Sequence, residues 1–220
     1  MSHKRYYAKA GLLWLANLWR AKKKTFVFDG ETYPYFYHPY NFTWLNERCV
    51  EIPIARKIMR EYQGKRILEV GNVLSRYDET LTHTVIDKYE RVNRPNFFAE
   101  DAETFHQGGP YDLIISISTL EHVGWDESPR DPDKIAHVVR HLRSLLSPNG
   151  VFYFTSPVGY SPPLDQAIDK SDGFTSVTCL RRKNVLNEWE QIDWRAAKSN
   201  RFHAPFPFAN ALVIARLGRT

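Results

Sequence analysis

From residue 66 onward, short apolar runs recur along the chain at 66–70 (RILEV), 83–87 (HTVID), 96–99 (NFFA), 112–116 (DLIIS) and 151–155 (VFYFT). Each is four or five residues long and most are bounded by Gly, Pro, Asn or Asp, the pattern of buried strands. Residues 132–146 follow a different period. There Ile135, Val138, Val139, Leu142, Leu145 and Leu146 fall on one face, and Ser147-Pro148-Asn149-Gly150 supplies a stop signal, so a helix is expected. Residues 176–182 and 188–193 read as extended, and 211–216 (ALVIAR) as a last strand. Apolar strands separated by helical segments predict an α/β domain over 64–220, with a mostly parallel sheet of seven strands covered on both faces.

Upstream the pattern changes. Asp29-Gly30 sits between the strand-like stretches 25–28 and 31–35, which predicts a hairpin. From Trp44 the period becomes helical, with Val50, Ile54 and Ile58 four apart; Pro53 interrupts it, so two helical pieces or a kink are expected. Residues 25–63 thus form an aromatic cap before the first strand of the domain. Residues 1–24 carry seven Lys or Arg and no acid around the apolar stretch AGLLWLANLW. Three readings fit this helix: docking on its own domain or a partner subunit, peripheral contact of residues 4–24 with an anionic membrane surface, or a signal-peptide core with no cleavage site after it.

Locating the charge changes what it means. The formal net charge is +5, but outside residues 1–24 there are 23 basic against 25 acidic side chains. The body lacks the basic face a nucleic-acid partner would need, so no nucleic acid is expected. No run of about 18 apolar residues exists, which disfavours a membrane span. Cys49 and Cys179 form no CxxC pair, leaving no sulfur metal site; they read as core thiols in a reduced, cytoplasmic setting. His137 and His141 are four apart on the polar face of the 132–146 helix without a third ligand, so no metal is expected. The acids of 126–133 read as a solvated loop.

In such a sheet, ligands bind outside the carboxyl ends of the strands. Those ends carry Glu69-Val70-Gly71-Asn72, then Asp87, then Asp101-Ala102, then Ser116-Ile117-Ser118-Thr119-Leu120-Glu121-His122-Val123. In order and spacing this set resembles the class I S-adenosylmethionine (SAM)-dependent methyltransferases of the small-molecule type, over roughly 66–156. The resemblance implies a Rossmann-like sandwich and SAM as cofactor. It implies that Glu69, Gly71 and Asn72 form the loop beneath the methionine part and that Asp87 holds the ribose hydroxyls. Asp101 and Ala102 would then contact adenine, with Ser116 and Ile117 bordering the methyl group. Val73 and Ser75 stand where the family's loop has two further glycines. An NAD site needs those glycines to approach a pyrophosphate, so their loss weighs against a dinucleotide.

Methyl transfer to a hydroxyl benefits from a base. His122 and Glu121 are the expected catalytic residues, with Asp126 and His203 as further candidate bases. His122 also reads as a substrate-orienting or a structural histidine. The aromatic tract with Glu47-Arg48, beside the basic N-terminal helix, suggests a sugar or other small metabolite hydroxyl as acceptor. A non-catalytic SAM-fold scaffold is the alternative. Oligomeric state is not legible.

Overall fold

The computed structural model describes residues 24–170 and 173–219. The expected basic helix therefore lies outside the described residues, apart from Lys24.

The chain opens with the hairpin that Asp29-Gly30 predicted. β1 (Thr25–Phe28) pairs with β2 (Glu31–Pro34), and both turn residues have positive φ, 50° and 76°. Paired positive φ is what a two-residue turn needs to match strand twist, and Asp-Gly supplies it at low cost. A 3-10 turn (Tyr40–Leu45) leads to α1 (Arg48–Glu61). Contrary to expectation, α1 runs unbroken through Pro53. Proline removes the N–H that would bond the carbonyl four residues back. That carbonyl, on Cys49, instead accepts from the Phe36 N–H at 2.9 Å. The helix is thus one piece and not two, and the preceding segment supplies the donor for the carbonyl that the proline leaves.

β3 (Ile67–Val70), β4 (Thr84–Ile86), β5 (Phe97–Phe98), β6 (Tyr111–Ile117) and β7 (Leu146–Pro157) then build the sheet with β8 (Phe174–Arg182), β9 (Trp189–Ile192) and β10 (Ala211–Gly218). The order is β5-β4-β3-β6-β7-β10-β8-β9. β3 to β7 are mutually parallel, while β10 lies antiparallel between β7 and β8. The expected α/β, Rossmann-like, mostly parallel sheet is present; eight strands replace the expected seven, because β9 adds an antiparallel edge.

Two expectations need correcting. The chain passes from β3 to β4 with only a 3-10 turn (Leu74–Arg76), and no helix follows Asp101 before β6. Asp101 closes a turn instead, its side chain accepting from Glu103 N and its carbonyl from Thr104 N and Phe105 N. The tetrapeptide expected to stop the helix lies inside β7, which begins at Leu146 and shifts register opposite Tyr111–Leu113. α2 (Lys134–Ser144) ends just before it.

Side chains alternate across β6 as a strand buried on both faces requires. Leu113, Ile115 and Ile117 join Val50, Ile54, Ala55 and Ile58 of α1 in one layer, together with Phe26, Tyr33 and Tyr35 of the hairpin segment. Ile114 faces the other layer, where Ile135, Val138 and Leu142 of α2 meet Leu164 and Ile168 of α3 (Pro162–Asp169). α4 (Trp194–Ala197) is a single turn capped by Asp193. Both cysteines are buried and free.

Asp165 of α3 accepts from the Gly159 N–H at 2.8 Å, but burial dominates and pushes its carboxyl up to about 6. A folded-state value raised above the unfolded one contributes stability at acid pH that is lost as pH rises through about 6. Two units correspond to about 3 kcal/mol before solvent screening, and the group is only half-buried, so about 1–2 kcal/mol is expected. Unfolding of the wild type and Asp165→Asn, followed from pH 4 to 7, should show the wild type losing that margin over the variant between about pH 4 and 6. A constant difference across the range would refute the assignment.

Candidate active site

β3 is followed in space by β4 and β5 on one side, while the chain returns to β6 on the other, so the switch in strand order falls between β3 and β6. A crevice is expected there, at the carboxyl ends. The loop after β3 is held by the carboxylates beside it. Glu69 is fully buried; its Oε1 accepts from Val73 N at 2.9 Å and Leu74 N at 2.7 Å, and its Oε2 lies 2.6 Å from His83 Nε2. Both oxygens are engaged inside the protein, so Glu69 shapes the loop and does not face a ligand. Val73 and Leu74 pack into the α1-side core.

Asp87 fixes the other flank. Its carboxylate accepts from Asn72 N at 3.1 Å, Tyr89 N at 2.9 Å and Glu90 N at 2.8 Å. An ionised carboxylate offers about four acceptor positions, so one stays open for a hydroxyl donor. The Asn72 side chain is itself engaged by Glu90 and Ser75. Gly71 has φ +86°, and a Cβ there would stand 2.6 Å from Thr119 Cγ2 and closer still to its Oγ1. The bare glycine face is therefore packed by Thr119 from the end of β6. Gly71→Ala is expected to lose about 1–3 kcal/mol from backbone strain, and more from the clash. In a Thr119→Ala background the clash component should largely vanish while the strain component persists. Equal penalties in both backgrounds, measured by denaturant unfolding, would contradict this packing.

Asp101 belongs to a closed ring of ion pairs. Lys134 Nζ lies 2.8 Å from Asp101 and 3.0 Å from Glu127, and Lys88 Nζ lies 3.0 Å from each. Burial favours the neutral carboxyl, but Lys134, the Glu103 N–H and Lys88 prevail and hold Asp101 at about 2. The ring ties the ends of β4 and β5 to the start of α2. Asp101 Oδ1 accepts only from Glu103 N, so it too keeps an open acceptor position. Ala102 is buried beside it.

Ser116 and Ile117 do not reach the rim with their side chains. Ser116 Oγ donates to Val70 O at 3.0 Å, and Ile117 is packed in the α1 layer. The rim of β6 is formed by the residues after them. Ser118 adopts φ 37°, with its N–H on Thr155 and its hydroxyl donating to Glu51 Oε1 at 2.5 Å. Glu51, itself fully buried, also accepts from Thr155 Oγ1 at 2.5 Å and pairs with the mostly buried Arg48 at 2.5 Å. Strained residues of this kind cluster at functional sites.

His122 stands half exposed on the same rim. Its Nδ1 lies 2.5 Å from Asp126 Oδ2, which also accepts from Tyr160 Oη at 2.6 Å. The Tyr160 ring meets the imidazole edge-on at 4.9 Å. Although burial works against its charge, the His122 and Tyr160 hydrogen bonds hold the Asp126 carboxyl below its ordinary range. An ionised carboxylate only accepts, so the proton in this contact sits on Nδ1, and Nε2 of the neutral ring is left as an acceptor. Nε2 is 3.9 Å from Glu121 Oε1. Glu121 is 1% exposed, its Oε2 has no hydrogen-bond partner, and burial pushes its carboxyl well up. His203 is otherwise occupied: its Nδ1 accepts from Phe208 N.

Of the acids of the 126–133 loop, Asp126, also a candidate base, contacts His122 and Tyr160, and Glu127 pairs with Lys88 and Lys134. Tyr160, Glu51, Lys88 and Lys134 went unrecognised in the sequence. Glu47 and Glu51 gave a signal: with Ile54 and Ile58 they lie on one stripe of α1 facing the core. His141 Nε2 contacts Phe105 O, and no cluster of three His, Cys, Asp or Glu side chains suited to a metal occurs among the described residues. Among the same residues, no helix is long and apolar enough to cross a membrane.

No protein-family model matches the chain. A curated relative, the malonyl-[acyl-carrier protein] O-methyltransferase of Porphyromonas gingivalis, is 33% identical over 72 residues, covering 33% of this chain and 25% of that protein. The chain thus matches only a quarter of that relative's length. Among solved structures, a possible histamine N-methyltransferase from Thermotoga maritima shares 11% identity, with 75% and 86% of the two chains covered and a TM-score of 0.48. The Burkholderia thailandensis 1,6-didemethyltoxoflavin-N1-methyltransferase shares 14%, over 89% and 100%, with a TM-score of 0.46. Likenesses of this degree do not fix an activity.

Proposed function

We propose that the chain is a SAM-dependent methyltransferase acting on a hydroxyl of a small molecule, with a sugar or glycan precursor as the favoured acceptor. The observation that carries this reading is the meeting, on one rim, of the Gly71–Asn72 loop, two carboxylates with an open acceptor position each, and a histidine whose Nε2 is left free. The 72-residue match to an O-methyltransferase supports it.

The residues present fit such a cofactor. Asp87 would accept from a ribose hydroxyl and Asp101 from an exocyclic amine, each through its remaining acceptor position. The bound cofactor supplies a methyl group already activated on a sulfonium. What this chain adds is orientation and proton removal. Holding an acceptor oxygen in line shortens a bimolecular encounter to a unimolecular step. As the acceptor oxygen takes the methyl group and the carbon–sulfur bond of the sulfonium breaks to leave a neutral thioether, the hydroxyl proton would pass to His122 Nε2, and Asp126 would stabilise the resulting imidazolium through Nδ1–H. Tyr160 keeps Asp126 in place. Glu51 is committed to Arg48, Ser118 and Thr155 inside the protein, whereas Glu121 stands beside His122 on the acceptor's side with one oxygen unpartnered.

Purified protein incubated with methyl-labelled SAM and panels of sugars, sugar nucleotides, phenols and amines tests this directly. Label incorporated into a sugar hydroxyl supports the proposal. Label incorporated only into RNA or only into amines would refute it.

A further inference from the structure

We propose that the acceptor pocket is built for an ammonium-bearing ligand, with Glu121 as its anchor and His122 Nε2 taking the proton from a neighbouring hydroxyl: an amino sugar or another vicinal amino alcohol. This rests on the methyltransferase reading and narrows its acceptor class.

The starting point is an imbalance of buried charge. Glu47, Glu51 and Glu121 are 9%, 0% and 1% exposed and interact electrostatically with one another and with Arg48. Arg48 is committed to Glu51. The nearby Arg182 guanidinium is spent on the carbonyls of Leu45, Asn184, Val185 and Pro207. Glu47 takes a hydrogen bond from the Ala209 N–H. Glu121 alone of the three keeps a buried oxygen without any partner. Leaving a buried polar group unpaired is costly, and burial alone favours the neutral form of this carboxyl, so a cationic donor is the partner that would hold it as a carboxylate, its proton released to solvent as the cation binds.

Geometry says where that donor comes from. Glu121 itself is closed to solvent while the neighbouring His122 side chain is 46% exposed, so the imidazole side is the approach proposed for the ligand. The unpartnered atom is Oε2, and the other oxygen of the same carboxyl, Oε1, stands 3.9 Å from His122 Nε2, which sets carboxyl and imidazole side by side for two groups on adjacent carbons, the ammonium on the carboxyl and the hydroxyl on Nε2. A metal ion is the other occupant a carboxylate cluster could take, but the described residues offer no three-ligand group for one. An organic cation fits better. The ammonium stays protonated in this setting and is not itself methylated; the methyl goes to the oxygen beside it.

Two measurements test the proposal. Calorimetry and labelled-SAM assays compare amino sugars such as glucosamine and galactosamine with their N-acetyl counterparts on the wild-type protein. The amines should bind at least tenfold tighter and be the ones methylated on oxygen. Glu121→Gln should weaken amine binding about 10- to 100-fold, the usual range for a hydrogen bond to a charged group, and barely change N-acetyl binding. N-acetylation removes the same contact from the ligand side, so the comparison stands even if the variant folds poorly. Preference for neutral sugars, or amine binding untouched by Glu121→Gln, would overturn the inference. Binding of SAM by the wild type, measured alongside, separates the two failures: SAM bound without amine preference sinks this inference alone, whereas no SAM binding removes the methyltransferase reading as well.

Discussion

Glu51→Ala is expected to destabilise the fold by about 3–5 kcal/mol, the cost of stranding one member of a buried ion pair. The Glu51 carboxylate is the meeting point of Arg48, Ser118 and Thr155, so it joins α1 to the ends of β6 and β7 with no solvent access. Truncation leaves the Arg48 guanidinium, itself only 13% exposed, facing two hydroxyls that have lost their acceptor. Equilibrium denaturation should show a lower midpoint with an unchanged slope. Arg48→Met combined with Glu51→Leu should recover much of the loss, because an apolar pair of similar volume removes the unpaired charge. A loss below about 1 kcal/mol for Glu51→Ala would show that water reaches the site and that the pair is a surface one.

His122→Ala is expected to reduce methyl transfer by about 10²- to 10⁴-fold, the usual contribution of a positioned base. The change should fall on turnover and leave SAM affinity within a factor of about two, because His122 stands on the acceptor side of the rim. Asp126→Asn is the sharper companion. An amide in place of the carboxylate can donate to Nδ1, which moves the ring proton to Nε2 and removes the acceptor that the reaction needs. Its loss should approach that of His122→Ala, although His122 is still present. If the base assignment holds, neither variant should shift the melting temperature by more than a few degrees. Full turnover in His122→Ala would return the residue to its structural reading.

How far the sequence revealed this arrangement depended on the range of the interactions involved. The hairpin was legible because Asp29-Gly30 dictates its turn locally, and β6 was legible because its uninterrupted apolar run suits only a strand covered on both faces. The absent helices between β3, β4 and β5 were not. Residues 71–83 take their shape from Glu69, whose carboxylate binds two backbone amides of the loop and His83, and no periodicity records that. The unbroken α1 was misjudged for a similar reason: the partner that replaces the bond lost at Pro53 comes from Phe36, thirteen residues upstream of the carbonyl it bonds. Strand-end acids could be ranked by position alone, which picked out Asp87 and Asp101. Position could not show that Glu69 faces inward or that Ser116 is consumed by Val70 O. Tyr160 was invisible because it reaches His122 across 38 residues, through the turn after β7.

Gly71, Asp87 and Asp101, at the carboxyl ends of neighbouring parallel strands, are proposed to cradle SAM. Calorimetric titration of the 220-residue protein with SAM, repeated on Asp87→Ala, tests this most directly. The expected result is saturable binding of one SAM per chain, weakened about tenfold or more when Asp87 is truncated, in keeping with the loss of a charge-assisted hydrogen bond to a ribose hydroxyl. No heat of binding at millimolar SAM, or an affinity indifferent to Asp87, would contradict it.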